Sequence, residues 1–162
     1  MKKNKIRVYT SGTWDLFHVG HINILKESMK YGDELIVGVS TDELVESYKG
    51  TKPIIPFEER LQIIESVKGV TKAVKQTVLT EVAQLEALNI DVVTIGDDWK
   101  ELYLEGLDWM EKQEGKQVAY LPYTKGVSTT SIKKKIISNI YEIIAADFKR
   151  EENNIVKFKT GK

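Results

Sequence analysis

The chain has 162 residues, 41% of them hydrophobic and 30% charged, enough apolar side chain for one buried core and too few residues for two comfortable ones. Its 24 basic and 24 acidic side chains cancel, so no net field exists to hold a nucleic-acid backbone or an anionic membrane, and recognition of phosphate has to be local. Cysteine is absent, which excludes disulfides, thiolate nucleophiles and Cys-ligated zinc and suits a reducing, cytoplasmic compartment.

In chain order, Met1-Lys2-Lys3-Asn4-Lys5 is basic like the start of a secretory leader, but the apolar stretch after it covers only residues 6–10 before Ser11-Gly12 interrupts. That length predicts a strand, too short for a leader core or a membrane span. Residues 35–39, 90–95 and 117–121 are further short runs rich in Val, Ile, Tyr and Thr, and residues 71–75 supply a fifth. Between them, Ile22, Leu25 and Met29, then Leu61, Ile64 and Val67, then Val82, Leu85 and Leu88 recur at helical spacing, as the core-facing stripes of helices do.

Strands and helices alternating in this way need crossover connections, and right-handed crossovers give a parallel sheet with helices on both faces. The predicted fold is therefore α/β, a Rossmann-like, doubly wound parallel sheet of five strands forming a single domain over residues 1–140. From Tyr141 the pattern weakens, and residues 149–162 are mostly charged and polar. Residues 141–162 are predicted to be a C-terminal extension, frayed or loosely docked.

Ligands of such sheets bind beyond the carboxyl ends of the strands. Three unusual loops follow predicted strands, at residues 11–21, 96–99 and 122–130. The first reads Ser11-Gly12-Thr13-Trp14-Asp15-Leu16-Phe17-His18-Val19-Gly20-His21. Gly12 is expected to let the backbone leave the strand sharply, and Gly20 to keep the helix start clear for a phosphate. His18 and His21 are the only histidines; three apart at a helix start, they share a face near the positive end of the macrodipole. Two imidazoles there can hold phosphate oxygens as negative charge grows on them. The plainer reading makes one a cap and the other a surface residue. A zinc site would need third and fourth ligands, of which only Asp15 is at hand.

The other loops each carry two readings. Lys49-Gly50-Thr51-Lys52-Pro53 places two flexible ammonium groups on a Gly/Pro stretch, as a phosphate lid or as surface lysines. Arg60, after Glu58-Glu59, can be an ion-pair partner. Asp97 and Asp98 can hold Mg²⁺ or a ribose hydroxyl, or cap a helix beginning near Trp99; Trp99 and Trp109 are read as packing or dimer contacts. Ser128-Thr129-Thr130-Ser131 after Gly126 precedes the run Ile132, Ile136, Ile137, Ile140, as an N-cap or a second anion cradle.

Gly12 to His21 resembles the signature of the cytidylyltransferase family within the HxGH nucleotidyltransferase superfamily. Lys49-Gly50 leading to Glu59-Arg60, then Gly96-Asp97-Asp98-Trp99, then Thr124-Lys125-Gly126-Val127-Ser128-Thr129-Thr130 follow in the family's order, and the resemblance extends to about Ile140. It is nearest to members acting on glycerol 3-phosphate. It implies transfer from CTP, accompanied by Mg²⁺, to a small phosphorylated alcohol, giving a CDP-alcohol and pyrophosphate, in a homodimer.

By resemblance, His18, His21 and Lys52 are catalytic. Thr13, Trp14, Lys52, Thr124, Gly126, Ser128, Thr129 and Thr130 contact the nucleotide along with the histidines, Lys49, Asp15 and Arg60 serve the acceptor, and Asp97, Asp98 and Tyr123 support. No protein ligand to the metal is assigned. Another polyol phosphate, an aminoalcohol phosphate or a phosphonate would use the same machinery; the rivals are an adenylyltransferase of the same superfamily and a non-catalytic nucleotide sensor. Two departures stand out. Tyr123 occupies the position where the family usually has arginine, so Lys125 or Arg60 has to compensate or the nucleotide is held differently. Thr77-Val78-Leu79-Thr80 lacks the tryptophan that lines the acceptor pocket of relatives, which argues against phosphocholine.

Overall fold

Strand β1 (Arg7–Gly12) lies at the centre of a parallel sheet of order β3-β2-β1-β4-β5, flanked by β2 (Glu34–Ser40) and β3 (Val70–Gln76) on one side and by β4 (Val92–Gly96) and β5 (Gln117–Leu121) on the other. This computed structural model describes residues 5–160, with side chains as far as residue 146. The basic residues 1–4 and the last two residues of the polar tail lie outside the described residues. All five predicted strands are present; the one at 117–121 has the predicted ends, and the ends of the other four are displaced by one or two positions.

The strands carry consecutive apolar residues at their centres because both faces of the sheet are covered. Val8, Leu35, Val37, Val39, Ala73 and Val92 pack on one face with Trp14, with Leu25 of α1 (Val19–Ser28) and with Ile64 of α3 (Phe57–Glu65). Tyr9, Ile36 and Val93 pack on the other with Leu85 of α4 (Val82–Ala87), Ile90, and Leu107 and Met110 of α5 (Glu105–Lys112). The edge strand β3 instead exposes Thr71, Lys72 and Lys75, which blunts it against pairing with another chain.

Chain direction explains the change of face. From β1 the chain steps outward to β2 and β3, then returns across β1 to β4 and β5. Crossovers of one hand that reverse direction have to lay their helices on the opposite face. The reversal sits between β1 and β4, so the loops leaving those two strands turn to opposite faces at the carboxyl edge, the place where sheets of this kind bind ligands.

Two helices occupy places where none was expected. α2 (Asp42–Lys49) starts where Thr41 Oγ1 accepts from the Leu44 amide at 3.1 Å and ends at Gly50, whose φ of 72° is the left-handed conformation of a helix stop. Lys49 therefore sits on a helix end rather than a flexible loop. α5 is the other, and Trp109 on it packs half-buried against the second cluster. The helix anticipated near Trp99 is a single 3₁₀ turn, Asp97–Trp99.

The chain divides into two compact units, Met1–Gly126 with the sheet and α1–α5, and Val127–Lys162 with α6 (Thr129–Thr160). The backbone of α6 is helical through Tyr141, where the sequence pattern weakens, to Thr160. Among the described residues no helix is long and apolar enough to cross a membrane.

Candidate active site

The loop between β1 and α1 turns at two residues that are not glycine. Trp14 (φ 58°) and Leu16 (φ 46°) are left-handed, whereas Gly12 ends β1 without a positive φ. The sharp departure expected of Gly12 is thus made two and four residues later. Glycine at position 12 has a different use, since a Cβ there would lie 3.2 Å from the Trp14 ring. Left-handed non-glycine backbone costs on the order of 1–2 kcal/mol per residue, and three fasteners hold it. The Trp14 indole donates to the Gly38 carbonyl at 2.9 Å. The Asp15 carboxylate, 3% exposed, accepts from the amides of Ile54 and Ile55 at 3.0–3.1 Å. Arg60 is fully buried; its guanidinium donates to the carbonyls of Ile55 and Thr13 and pairs with Asp42 at 2.6 Å. Of the three residues carried to the acceptor by resemblance, Asp15 and Arg60 are therefore part of the framework of the loop. Arg60 is also not available to replace the guanidinium absent at Tyr123.

The histidines are joined through the helix start. His18 is the N-cap of α1, its Nδ1 accepting from the Gly20 amide at 3.1 Å, while Nδ1 of His21 accepts from the His18 amide at 3.3 Å. This is a capping box built from imidazoles. The rings stack with centroids 3.8 Å apart and an interplanar angle of 19°, and His21 is further held between Phe17 and the edge of Trp14. A ring nitrogen that accepts carries no proton, so each neutral imidazole bears its hydrogen on Nε2 and donates from there. Capping and ligand binding, alternatives in the sequence, are compatible here because they use opposite nitrogens.

Electrostatics keep the pair neutral. Burial lowers the pKa of His18, and burial and the neighbouring His18 ring lower that of His21 to about 3, opposed by Asp15 and with a lesser lowering from Lys49. In the unfolded chain His21 protonates near 6.5. Between those values the folded state binds fewer protons, so His21 contributes stability that is fully present above pH 6.5 and is lost as pH falls from 6.5 towards 3. In the free protein, the NMR signals of the His21 ring are expected to keep neutral shifts down to about pH 4; an inflection near 6.5 would contradict this picture.

A second cluster borders Thr13. Lys49 Nζ donates to Thr13 Oγ1 at 3.1 Å, the Tyr48 hydroxyl lies 3.1 Å from the same oxygen, and the Lys49 ammonium sits 5.4 Å from the Tyr48 ring centroid. Trp99, on the turn after β4, meets Tyr48 edge to face at 6.5 Å. Whichever of Thr13 and Tyr48 donates to the other, one hydroxyl proton is left over, and Lys49 retains two N–H donors. This cluster thus adds donors to those at the histidines, as an anion site needs. Tyr48 was missed in the sequence because α2 was missed; its i–1 position to Lys49 alone carries no signal. Lys52 lies beyond Gly50 and pairs with Glu46 at 3.7 Å, both half-exposed.

The remaining loops reach the same sheet edge. Asp97 Oδ1 accepts from the Tyr123 amide at 3.2 Å, which joins the exits of β4 and β5, and Asn23 of α1 donates to Thr124 Oγ1 at 3.3 Å. Asp98, Tyr123 and Lys125 are exposed, and Gly126 is left-handed at φ 84°. In the second unit, Ser128 and Ser131 each accept from the other's amide at 3.0 Å, which caps the start of α6 beside Thr129 and Thr130. Among the described residues no three His, Asp or Glu side chains are grouped to hold a metal ion.

A cytidylyltransferase-like family model matches residues 9–135. The glycerol-3-phosphate cytidylyltransferases of Bacillus spizizenii and Bacillus subtilis are 38% and 37% identical over 133 and 131 residues, covering 82% and 80% of this chain and 98% and 96% of theirs. An FAD synthase of Thermococcus sibiricus is 36% identical, covering 87% of this chain and 96% of its own. Among solved structures, a lipopolysaccharide core biosynthesis protein of Thermoplasma volcanium superposes with a TM-score of 0.60 at 30% identity, over 76% of this chain and 99% of that one.

Proposed function

Since the chain belongs to the cytidylyltransferase-like family and is a nucleotidyltransferase, we propose that it joins the cytidylyl group of CTP to a small phosphorylated alcohol, with glycerol 3-phosphate as first choice. The observation that carries the reading is the pair of stacked, neutral imidazoles whose Nδ1 atoms are used in capping and whose Nε2–H groups are left to donate. In the reaction an anionic oxygen of the acceptor phosphate attacks the α-phosphorus of CTP. The bond to the α–β bridging oxygen breaks, and pyrophosphate leaves with that electron pair. The nucleophile is already ionised, so no general base is required; the histidines supply hydrogen bonds that strengthen as charge builds on the equatorial and leaving oxygens.

Lys49, fixed by Thr13 and beside Tyr48, is the proposed anchor for the acceptor phosphate, and Lys52 is assigned to the triphosphate, exchanging its exposed partner Glu46 for it. Ser128, Thr129 and Thr130 are assigned to the nucleotide. Oxygen donors of the kind at Asp97 and Asp98 fit Mg²⁺, which commonly binds through one or two carboxylates and substrate phosphates; bound, it would share the triphosphate charge.

The glycerol-phosphate choice rests on the two Bacillus relatives, and the FAD synthase, which matches at nearly the same identity, favours a second reading in which an adenylyl group is transferred. A pyrophosphate-release assay with each of the four nucleoside triphosphates, against glycerol 3-phosphate, other polyol phosphates, aminoalcohol phosphates and a flavin nucleotide, decides between them. CTP with glycerol 3-phosphate is expected to give the highest kcat/KM. A preference for ATP would overturn the proposal in favour of the second reading, and release with no acceptor at all would overturn both.

A further inference from the structure

Three neighbouring strands send a side chain to one point at the carboxyl edge of the sheet. Thr13 follows β1, Tyr48 lies on α2 after β2, and Trp99 lies on the turn after β4; β2 and β4 flank β1. The Tyr48 hydroxyl reaches Thr13 Oγ1 at 3.1 Å and its ring meets that of Trp99 edge to face, so the phenol links the segments that follow β2 and β4 across the exit of β1. Ligands of sheets that reverse direction bind at such a point. Lys49 Nζ donates to the same Thr13 oxygen, also at 3.1 Å, and its charge is felt at His21. Both in contact with one atom, the ammonium nitrogen and the phenol oxygen are near enough to each other to hold a single phosphate group. The roles assigned above for nucleotidyl transfer leave the phenol without one.

Acidity sets the direction of the hydrogen bonds once an anion arrives. A phenol is a stronger acid than an aliphatic hydroxyl, and hence the better donor to an anion. A phosphate beside the cluster therefore favours a chain that runs from Lys49 Nζ to Thr13 Oγ1 to Tyr48 Oη, in which Thr13 donates to Tyr48 and the phenol proton points outward. Bonds aligned head to tail in this way strengthen one another. We propose that Tyr48 is an acceptor-binding residue, its hydroxyl donating to one terminal oxygen of the acceptor phosphate while Lys49 holds a second. A phosphate monoester has three terminal oxygens, so the third is left unbound to attack the α-phosphorus. The inference rests on the transfer reading of the site, and it holds for the cytidylyl and the adenylyl version alike, because the acceptor presents a phosphate monoester in both.

Steady-state kinetics with the triphosphate and acceptor that give the highest kcat/KM test it, because the effect falls on one substrate only. Tyr48→Phe keeps the ring against Trp99 and removes the donor. The KM for the acceptor is expected to rise on the order of ten- to a hundredfold, the usual worth of a hydrogen bond to a charged group, while the KM for the triphosphate stays within about twofold of wild type. The acceptor KM should also rise, by roughly fivefold or more, when Tyr48→Phe is added to Thr13→Val, since the phenol touches the acceptor itself and does not act only by holding Thr13. An acceptor KM unchanged in Tyr48→Phe, an equal rise in both KM values, or no further rise on the Thr13→Val background overturns the inference while transfer continues. Absence of turnover with every acceptor overturns the transfer reading and takes this assignment with it.

Discussion

Replacing His21 by alanine is expected to lower kcat by on the order of 10²- to 10³-fold with little change in KM, the usual cost of removing one aligned donor from developing charge. Steady-state pyrophosphate release measures it. His18→Ala should lose as much, with an added stability cost of about 1 kcal/mol, because its Nδ1 caps α1. The two contributions separate with His18→Asn. Asparagine is a good N-cap but too short to place a donor where the imidazole Nε2 stands, so melting temperature should recover while turnover stays low. If His18→Asn recovers activity together with stability, the imidazole acts only as a cap, and the transfer mechanism has to be rebuilt without it.

The second large effect is structural. Arg60→Met should destabilise the fold by about 3–5 kcal/mol, the range for breaking a buried ion pair from one side, and lower the melting temperature by about 10 °C. The loss is large because one planar group serves three acceptors, the carbonyls of Thr13 and Ile55 and the carboxylate of Asp42. A lysine ammonium is a compact point charge that cannot span them, so Arg60→Lys should recover less than half of the loss. Thermal denaturation of the two variants checks this; a melting temperature for Arg60→Met within about 2 °C of wild type would show that the buried guanidinium does not brace the loop.

The fold was legible because the sheet is buried on both faces, which makes β1, β2, β4 and β5 read as short runs rich in Val, Ile, Leu and Tyr separated by helical stripes. α2 and α5 were harder, since each is only eight residues long and offers few buried positions, Val45 in α2 and Gly106, Leu107 and Met110 in α5. Local signals were present in α2, with Thr41 ahead of Asp42-Glu43 and Gly50 at its end, but the polar composition concealed them. At the site, the two histidines were legible from their spacing at a helix start, whereas the division of labour between their nitrogens depends on hydrogen-bond directions that only coordinates give. The environment of Arg60 was likewise hidden. An arginine after two glutamates reads as a surface residue, and its partners lie at Thr13, Asp42 and Ile55, 47, 18 and 5 residues away.

The left-handed turn at Trp14 and Leu16 has a consequence for engineering. The ten residues that carry the signature cannot be transplanted as a cassette, because what keeps them in shape is scattered through Gly38, Asp42, Ile54, Ile55 and Arg60. A recipient scaffold given the decapeptide alone would let those two residues relax to ordinary backbone angles and the imidazoles drift apart. Borrowing this chemistry means borrowing half a domain.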